Sequence, residues 1–127
     1  MARSILVIED DSVIQDIITK SIASTESRLT IIANGEEALT FLSTNVPDLV
    51  LVDIGLPGLN GYETISKMRA MPGLGQTPVI FLSGRSKEED NGRSFASGGQ
   101  LYLKKPFSVQ ELRSLVDLAL GSLPVLR

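Results

Sequence analysis

The chain has 127 residues and carries 12 Lys and Arg against 15 Asp and Glu, a formal charge of −3. That length gives one ordinary domain with room for a core, and without a basic excess it offers no general surface for direct contact with nucleic acid. Hydrophobic residues make up 43% and charged residues 21%, which excludes a disordered chain and a long coiled coil, while the absence of Cys and His removes disulfides, thiolate nucleophiles, zinc–thiolate sites and the commonest neutral-pH base.

The first apolar run, Ser4 to Ile8, stops at Glu9-Asp10-Asp11, well short of a signal-peptide core. Later runs are no longer, and none approaches the roughly 20 residues needed to span a bilayer, so a cytoplasmic protein without membrane association is expected. Further β-branched runs follow at Leu29 to Ala33, Leu49 to Val52 and Val79 to Leu82, with a weaker one at Leu101-Tyr102-Leu103. Short runs that are apolar on both faces suit buried parallel strands. After each run stands a side chain able to cap a helix, followed three residues later by Glu or Gln: Ser12/Gln15, Asn34/Glu37, Asn60/Glu63, Ser86/Glu89 and Ser108/Glu111. Turn residues punctuate the joins at Gly35, Pro57 to Gly61, Pro72 to Gly75 and Gly98-Gly99. In the last helix Val109, Leu112, Val116, Ala119 and Leu120 form one apolar stripe, with Leu118 roughly opposite. The tail from Gly121 to Arg127 either closes the domain or begins a linker.

Five β-α units imply an α/β fold, a parallel sheet with helices on both faces. Ligands in such sheets bind outside the carboxyl ends of the strands, where strand order reverses. Glu9-Asp10-Asp11 close the first run and Asp53 closes the third, so at least three carboxylates can converge on that edge. Side by side they repel, raising a pKa or recruiting a cation, and an all-oxygen set suits a hard ion such as Mg²⁺. Helix caps and solvated turn charges are the competing explanation, which accounts poorly for Asp53, an acid directly following Leu49-Val50-Leu51-Val52. Ser83 ends the fourth run and Lys104-Lys105-Pro106 follows the fifth. Singly these read as a turn hydroxyl and a solvated pair; jointly they frame a phosphate-sized site.

Taken together, Glu9-Asp10, Asp53 with Leu56-Pro57-Gly58 and Gly61, Ser83, and Tyr102-Leu103-Lys104-Lys105-Pro106-Phe107 resemble the receiver domain of bacterial two-component response regulators, from about Ser4 to about Gly121. The resemblance implies a flavodoxin-like three-layer sandwich whose five parallel strands run in the order 2-1-3-4-5, occupying residues 1–121, with 122–127 as tail or linker. It implies Asp53 as phosphoacceptor, Mg²⁺ on Glu9, Asp10, Asp53 and the Gly55 backbone carbonyl, Ser83 and Lys105 as phosphoryl contacts, and Ser83 with Tyr102 as the switch pair. Lys105 is preferred to Lys104 because it precedes Pro106, at a bond that resembles the family's cis-proline. The implied partners are a histidine kinase or histidine phosphotransfer protein as donor, since the chain has no His, and a downstream protein or output domain. A homodimer is the other partner considered, with Leu101 and Leu118 as a contact face.

The departures are Glu9 where Asp is more usual, Asn60 for a common Asp, and Gln100-Leu101 for a common acidic pair. Gly55 and Arg85 occupy positions that in the family help to control hydrolytic water. Two other readings fit the fold: a phosphorylation-independent adaptor, and a Mg²⁺-dependent aspartyl phosphohydrolase. The familiar aspartyl phosphatases carry a second Asp two residues after the nucleophile, and Gly55 stands there instead. A signalling domain rather than an enzyme is expected.

Overall fold

In a computed structural model that describes residues 3–22 and 27–125, the apolar runs are the strands of one sheet. Strands β1 (Arg3–Ile8), β2 (Ser27–Ile32), β3 (Leu49–Asp53), β4 (Val79–Ser83) and β5 (Leu101–Lys104) lie in the order β2-β1-β3-β4-β5, and every neighbouring pair is parallel. β3 and β4 are buried along their whole length, which is why they read as continuous apolar runs.

Side chains alternate between two cores. Leu6, Ile8, Val50, Val52 and Phe81 pack with Ala38 and Leu42 of α2 (Gly35–Leu42) and with Tyr62, Ile65 and Met68 of α3 (Gly61–Arg69). Ile5, Val7, Leu49, Leu51, Ile80 and Leu82 face the other way, against Ile18 and Ile22 of α1 (Ser12–Ile22) and Leu112, Val116 and Ala119 of α6 (Val109–Val125). Each fully buried apolar side chain of these cores contributes roughly 1.5–3 kcal/mol. The period-2 alternation thus makes three layers and fixes which strand ends meet.

Four of the five expected caps form. Asn34 Oδ1 accepts from the Glu37 amide at 2.8 Å, and Asn60 with Glu63 makes a full capping box. Ser86 and Glu89, and likewise Ser108 and Glu111, exchange side-chain-to-amide bonds in both directions. The first cap differs: Asp11, not Ser12, accepts from the Val13 and Ile14 amides at 2.8 and 3.3 Å, and the Gln15 side chain donates instead to the Glu9 carbonyl at 2.6 Å. Asp11 stands one residue earlier, and its charge suits the positive end of α1.

Two further expectations need correcting. The helix after β4 is split into α4 (Lys87–Asp90) and α5 (Arg93–Ala96), because Asn91 and Gly92 take φ values of 53° and 77°, which no right-handed helix accommodates. Val109 does not join the core stripe: it lies in the first turn of α6 and is 42% exposed, whereas Leu112 and Val116 are buried. α6 itself continues past Gly121 to Val125, and Leu126 and Arg127 lie outside the described residues.

Candidate phosphoryl-acceptor site

The carboxyl ends of β1, β3 and β5 meet because β1 lies beside β3 and β4 lies between β3 and β5. Glu9 follows β1, fully buried, and Asp53 closes β3, also buried. One ammonium serves both: Lys105 Nζ lies 3.0 Å from Asp53 Oδ1 and 3.1 Å from Glu9 Oε1. Lys104 ends β5 as an exposed residue paired with Ser83 across the sheet, so Lys105 is the lysine whose ammonium reaches the acids. The Lys105-Pro106 peptide bond is cis.

Asp10 is exposed beside this pair, and single carboxylate oxygens of Glu9, Asp10 and Asp53 come within 4.8 Å of one another. Burial pushes Glu9 above its ordinary pKa, with repulsion from Asp53 adding to it, against the pull of Lys105 and the Asp11 amide. Burial alone would lower Lys105, but its bonds and charge contacts with Asp53 and Glu9 outweigh that and hold it above its ordinary value. The group holds three carboxylates and no nitrogen or sulfur ligand, and that set fits a hard divalent cation.

α3 starts directly behind Asp53, and Gly61 makes this possible. A Cβ there would stand 2.5 Å from the Asp53 carbonyl oxygen and 2.8 Å from the Ile54 Cα, both backbone atoms unable to yield. The Gly61 amide donates to the Ile54 carbonyl at 3.0 Å, tying the helix start to the loop that follows the acid.

A cleft of about 340 Å³ opens from Asp53, lined by Gly55, Asn60, Tyr62, Ser83, Arg85 and Arg93. Ser83 is buried, and its Oγ accepts from the Arg85 amide at 3.0 Å. Tyr102 is half-buried and donates to the Arg85 carbonyl at 2.6 Å, so the expected switch pair grips one loop residue from two sides. Leu101 and Leu118 lie elsewhere, lining a groove of about 430 Å³ with Pro78, Val79 and Ala119.

Tyr62 and Arg93 also line the cleft, although no motif marks them. The Tyr62 hydroxyl donates to buried Asp90 at 2.5 Å, and the Arg93 guanidinium lies 4.2 Å over the Tyr62 ring. The sequence hinted at Tyr62 only through its place beside Gly61.

The family model for the response regulator receiver domain matches residues 5–117. Among similar proteins, the transcriptional regulatory protein YrkP of Bacillus subtilis is 35% identical over 91% of this chain and 48% of its own length. A 14.6 kDa protein of Leptolyngbya boryana is 33% identical over 89% of this chain and 86% of its own. The chain spans about half the length of most of the curated relatives it matches first. Among solved structures, the receiver domain of the Pseudomonas aeruginosa sensor histidine kinase PA1611, with a magnesium ion coordinated in its active-site cleft, is 30% identical with a TM-score of 0.87, covering 96% of this chain and 100% of that one. With the sheet order and the acid–lysine centre already in place, this match settles the family: the chain belongs to the response regulator receiver domains of two-component signalling.

Proposed function

We propose that the chain accepts a phosphoryl group on Asp53 and returns a changed surface to a partner. The observation that carries this is the single ammonium of Lys105 shared by Asp53 and buried Glu9 beside a cleft open at Asp53. A carboxylate oxygen of Asp53 attacks phosphorus in line, the bond from phosphorus to the donor breaks, and the donor keeps the electron pair. Lys105 neutralises one transferring oxygen. Glu9, Asp10, Asp53 and the Gly55 carbonyl would hold Mg²⁺, which when bound offsets charge on the other oxygens. Ser83, whose Oγ accepts from the Arg85 amide, donates its O–H to a new phosphoryl oxygen, and the loop held by Tyr102 shifts with it.

The donor is a histidine kinase or histidine phosphotransfer protein, because the chain has no His. The recipient is a downstream protein or an output domain, with 1–121 as the receiver unit and 122–127 as its tail or the start of a linker. Leu101 and Leu118 are its contact face, or that of a second copy; a Leu101→Ala, Leu118→Ala chain that self-associates and binds its partner unchanged would remove that part. Among the described residues no helix is long and apolar enough to cross a membrane, and a cytoplasmic setting suits such a relay.

Incubation with Mg²⁺ and a small phosphoryl donor, followed by intact mass, should show one added phosphate that Asp53→Asn lacks. Turnover of unrelated phosphoesters would favour the phosphohydrolase, no addition the adaptor, and phosphate on Asp11 or Ser83 would overturn the assignment of Asp53.

A further inference from the structure

The sequence holds three Asn-Gly steps, at Asn34-Gly35, Asn60-Gly61 and Asn91-Gly92, and the fold treats them differently. Asn34 caps α2: its Oδ1 accepts from the Glu37 amide at 2.8 Å, and its Nδ2 donates to Glu37 Oε2 at 2.9 Å. Asn60 caps α3, where its Oδ1 accepts from the Glu63 amide at 2.9 Å and the Gly61 amide is committed to the Ile54 carbonyl. Both following glycines are buried, Gly35 against the Thr64 side chain and Gly61 against the backbone of Asp53 and Ile54. Asn91 and Gly92 are exposed in the break between α4 and α5, at φ values of 53° and 77°. Among the described residues no hydrogen bond holds the Asn91 side chain, and a Cβ on Gly92 would meet no atom within 4 Å. The break is bridged by its neighbours: the Asp90 carboxylate accepts from the Ser94 hydroxyl at 2.6 Å and the Ser94 amide at 3.1 Å, besides the Tyr62 hydroxyl. The length of main chain at Asn91-Gly92 therefore decides whether Asp90 reaches Ser94.

We propose that Asn91 is a self-modification site, converting through a succinimide to isoaspartate, and that the lengthened chain releases Asp90 from Ser94. The Gly92 nitrogen gives its proton to hydroxide and bonds to Asn91 Cγ. The Cγ–Nδ2 bond breaks, and Nδ2 takes a proton from water and leaves as ammonia. Water then opens the ring. Attack at Cγ yields aspartate, whereas attack at the main-chain carbonyl carbon yields isoaspartate, whose main chain runs through Cγ and is one carbon longer. Either product adds a negative charge beside Asp90. The ring needs Cγ and the next nitrogen in contact, a geometry open to a free side chain before an unshielded glycine. Asn34 and Asn60 must first give up their helix caps to reach it.

The test ages the whole chain at mildly alkaline pH, folded and in denaturing urea. Peptide masses report the exchange of NH₂ for OH at each asparagine, and an isoaspartyl methyltransferase reports isoaspartate. In the folded chain, conversion at Asn91 should outrun that at Asn34 and at Asn60 by more than about fivefold, because each cap must open before its asparagine can react. In urea the three should converge to within about twofold, since each precedes glycine and none is held. A folded ratio below about fivefold, a ratio that persists in urea, or product at Asn91 without isoaspartate would overturn the site. The isoaspartyl chain, separated from the rest, should unfold at a lower urea midpoint than Asn91→Asp, which adds the charge without the extra carbon. Equal midpoints would overturn the release of Asp90.

Discussion

Buried carboxylates occur in two places, and their charges are met in different ways. At the ends of β1 and β3, Glu9 and Asp53 share the ammonium of Lys105, which leaves two negative charges against one positive and an exposed third acid, Asp10, alongside. In the α4–α5 segment Asp90 is alone, and three donors from Tyr62 and Ser94 converge on its two oxygens. Burial would raise the Asp90 pKa, but the Ser94 and Tyr62 bonds and the nearby Arg93 charge outweigh it and hold the group below its ordinary value. Glu9 moves the opposite way. The acid cluster is thus electrostatically incomplete and open to a cation and a phosphoryl group, whereas the Asp90 cluster is closed and acts as a pin. That pin holds the two one-turn helices against α3 where Asn91 and Gly92 break the chain direction.

If the pin is structural, breaking it should have the largest effect on stability. Asp90→Ala strands the Tyr62 hydroxyl and both Ser94 donors in a buried site and should cost about 2–4 kcal/mol, read as a lower urea midpoint. A loss within experimental error would show that α4 and α5 hold without it. Tyr62→Phe keeps the ring beneath Arg93 and removes one donor, for about 1–2 kcal/mol. The same hydroxyl predicts a pH effect. Burial, with the bond to Asp90 and the charge of Asp90 adding to it, pushes the Tyr62 pKa up from 10.0 to about 12. Since the folded value exceeds the unfolded one, the contribution is whole below pH 10 and is lost as pH rises through about 12. Alkaline melting should therefore fall more steeply in the original chain than in Tyr62→Phe, and identical slopes would contradict the pairing.

The two regions were not equally legible in the sequence. Asp53 stands out because an acid closes Leu49 to Val52, four residues buried on both faces, and Glu9 and Asp10 stand out because they end the same kind of run. Strand burial therefore points to the acid centre without any knowledge of contacts. The Asp90 cluster joins residues 28 apart, and Asp90 sits in Glu88-Glu89-Asp90, which reads as a solvated acidic turn. Nothing local distinguishes the acid that turns inward. The break beside it did leave a trace, since Asn91-Gly92 is a turn dipeptide whose members tolerate positive φ. At the start of α1, Asp11 and Ser12 are adjacent acceptors of equal promise, and only the backbone path decides between them. Val109 fits the stripe on a wheel but belongs to the first turn of α6, where 42% of it stays in solvent.

The acid centre yields the smallest and most discriminating expectation, a mutation that removes a charge and gains stability. Glu9→Gln keeps one oxygen to accept from Lys105 and gives up the longer 3.2 Å bond that the other oxygen takes from the Asp11 amide, while ending the repulsion with Asp53 and the burial of a second negative charge. Stability should rise by about 1 kcal/mol, roughly 3–5 °C in melting temperature, and affinity for Mg²⁺ should fall. The pH dependence has a definite sign. The folded-state pKa of Glu9 lies above its ordinary 4.5, so its favourable contribution is whole below that value and is lost as pH rises through the folded one. The advantage of Glu9→Gln should therefore be full at neutral pH and shrink as pH is lowered toward 4.5. A variant that melts lower than the original chain at pH 7 would mean that Lys105 more than compensates both acids, and the contrast between an incomplete centre and a closed pin would fail.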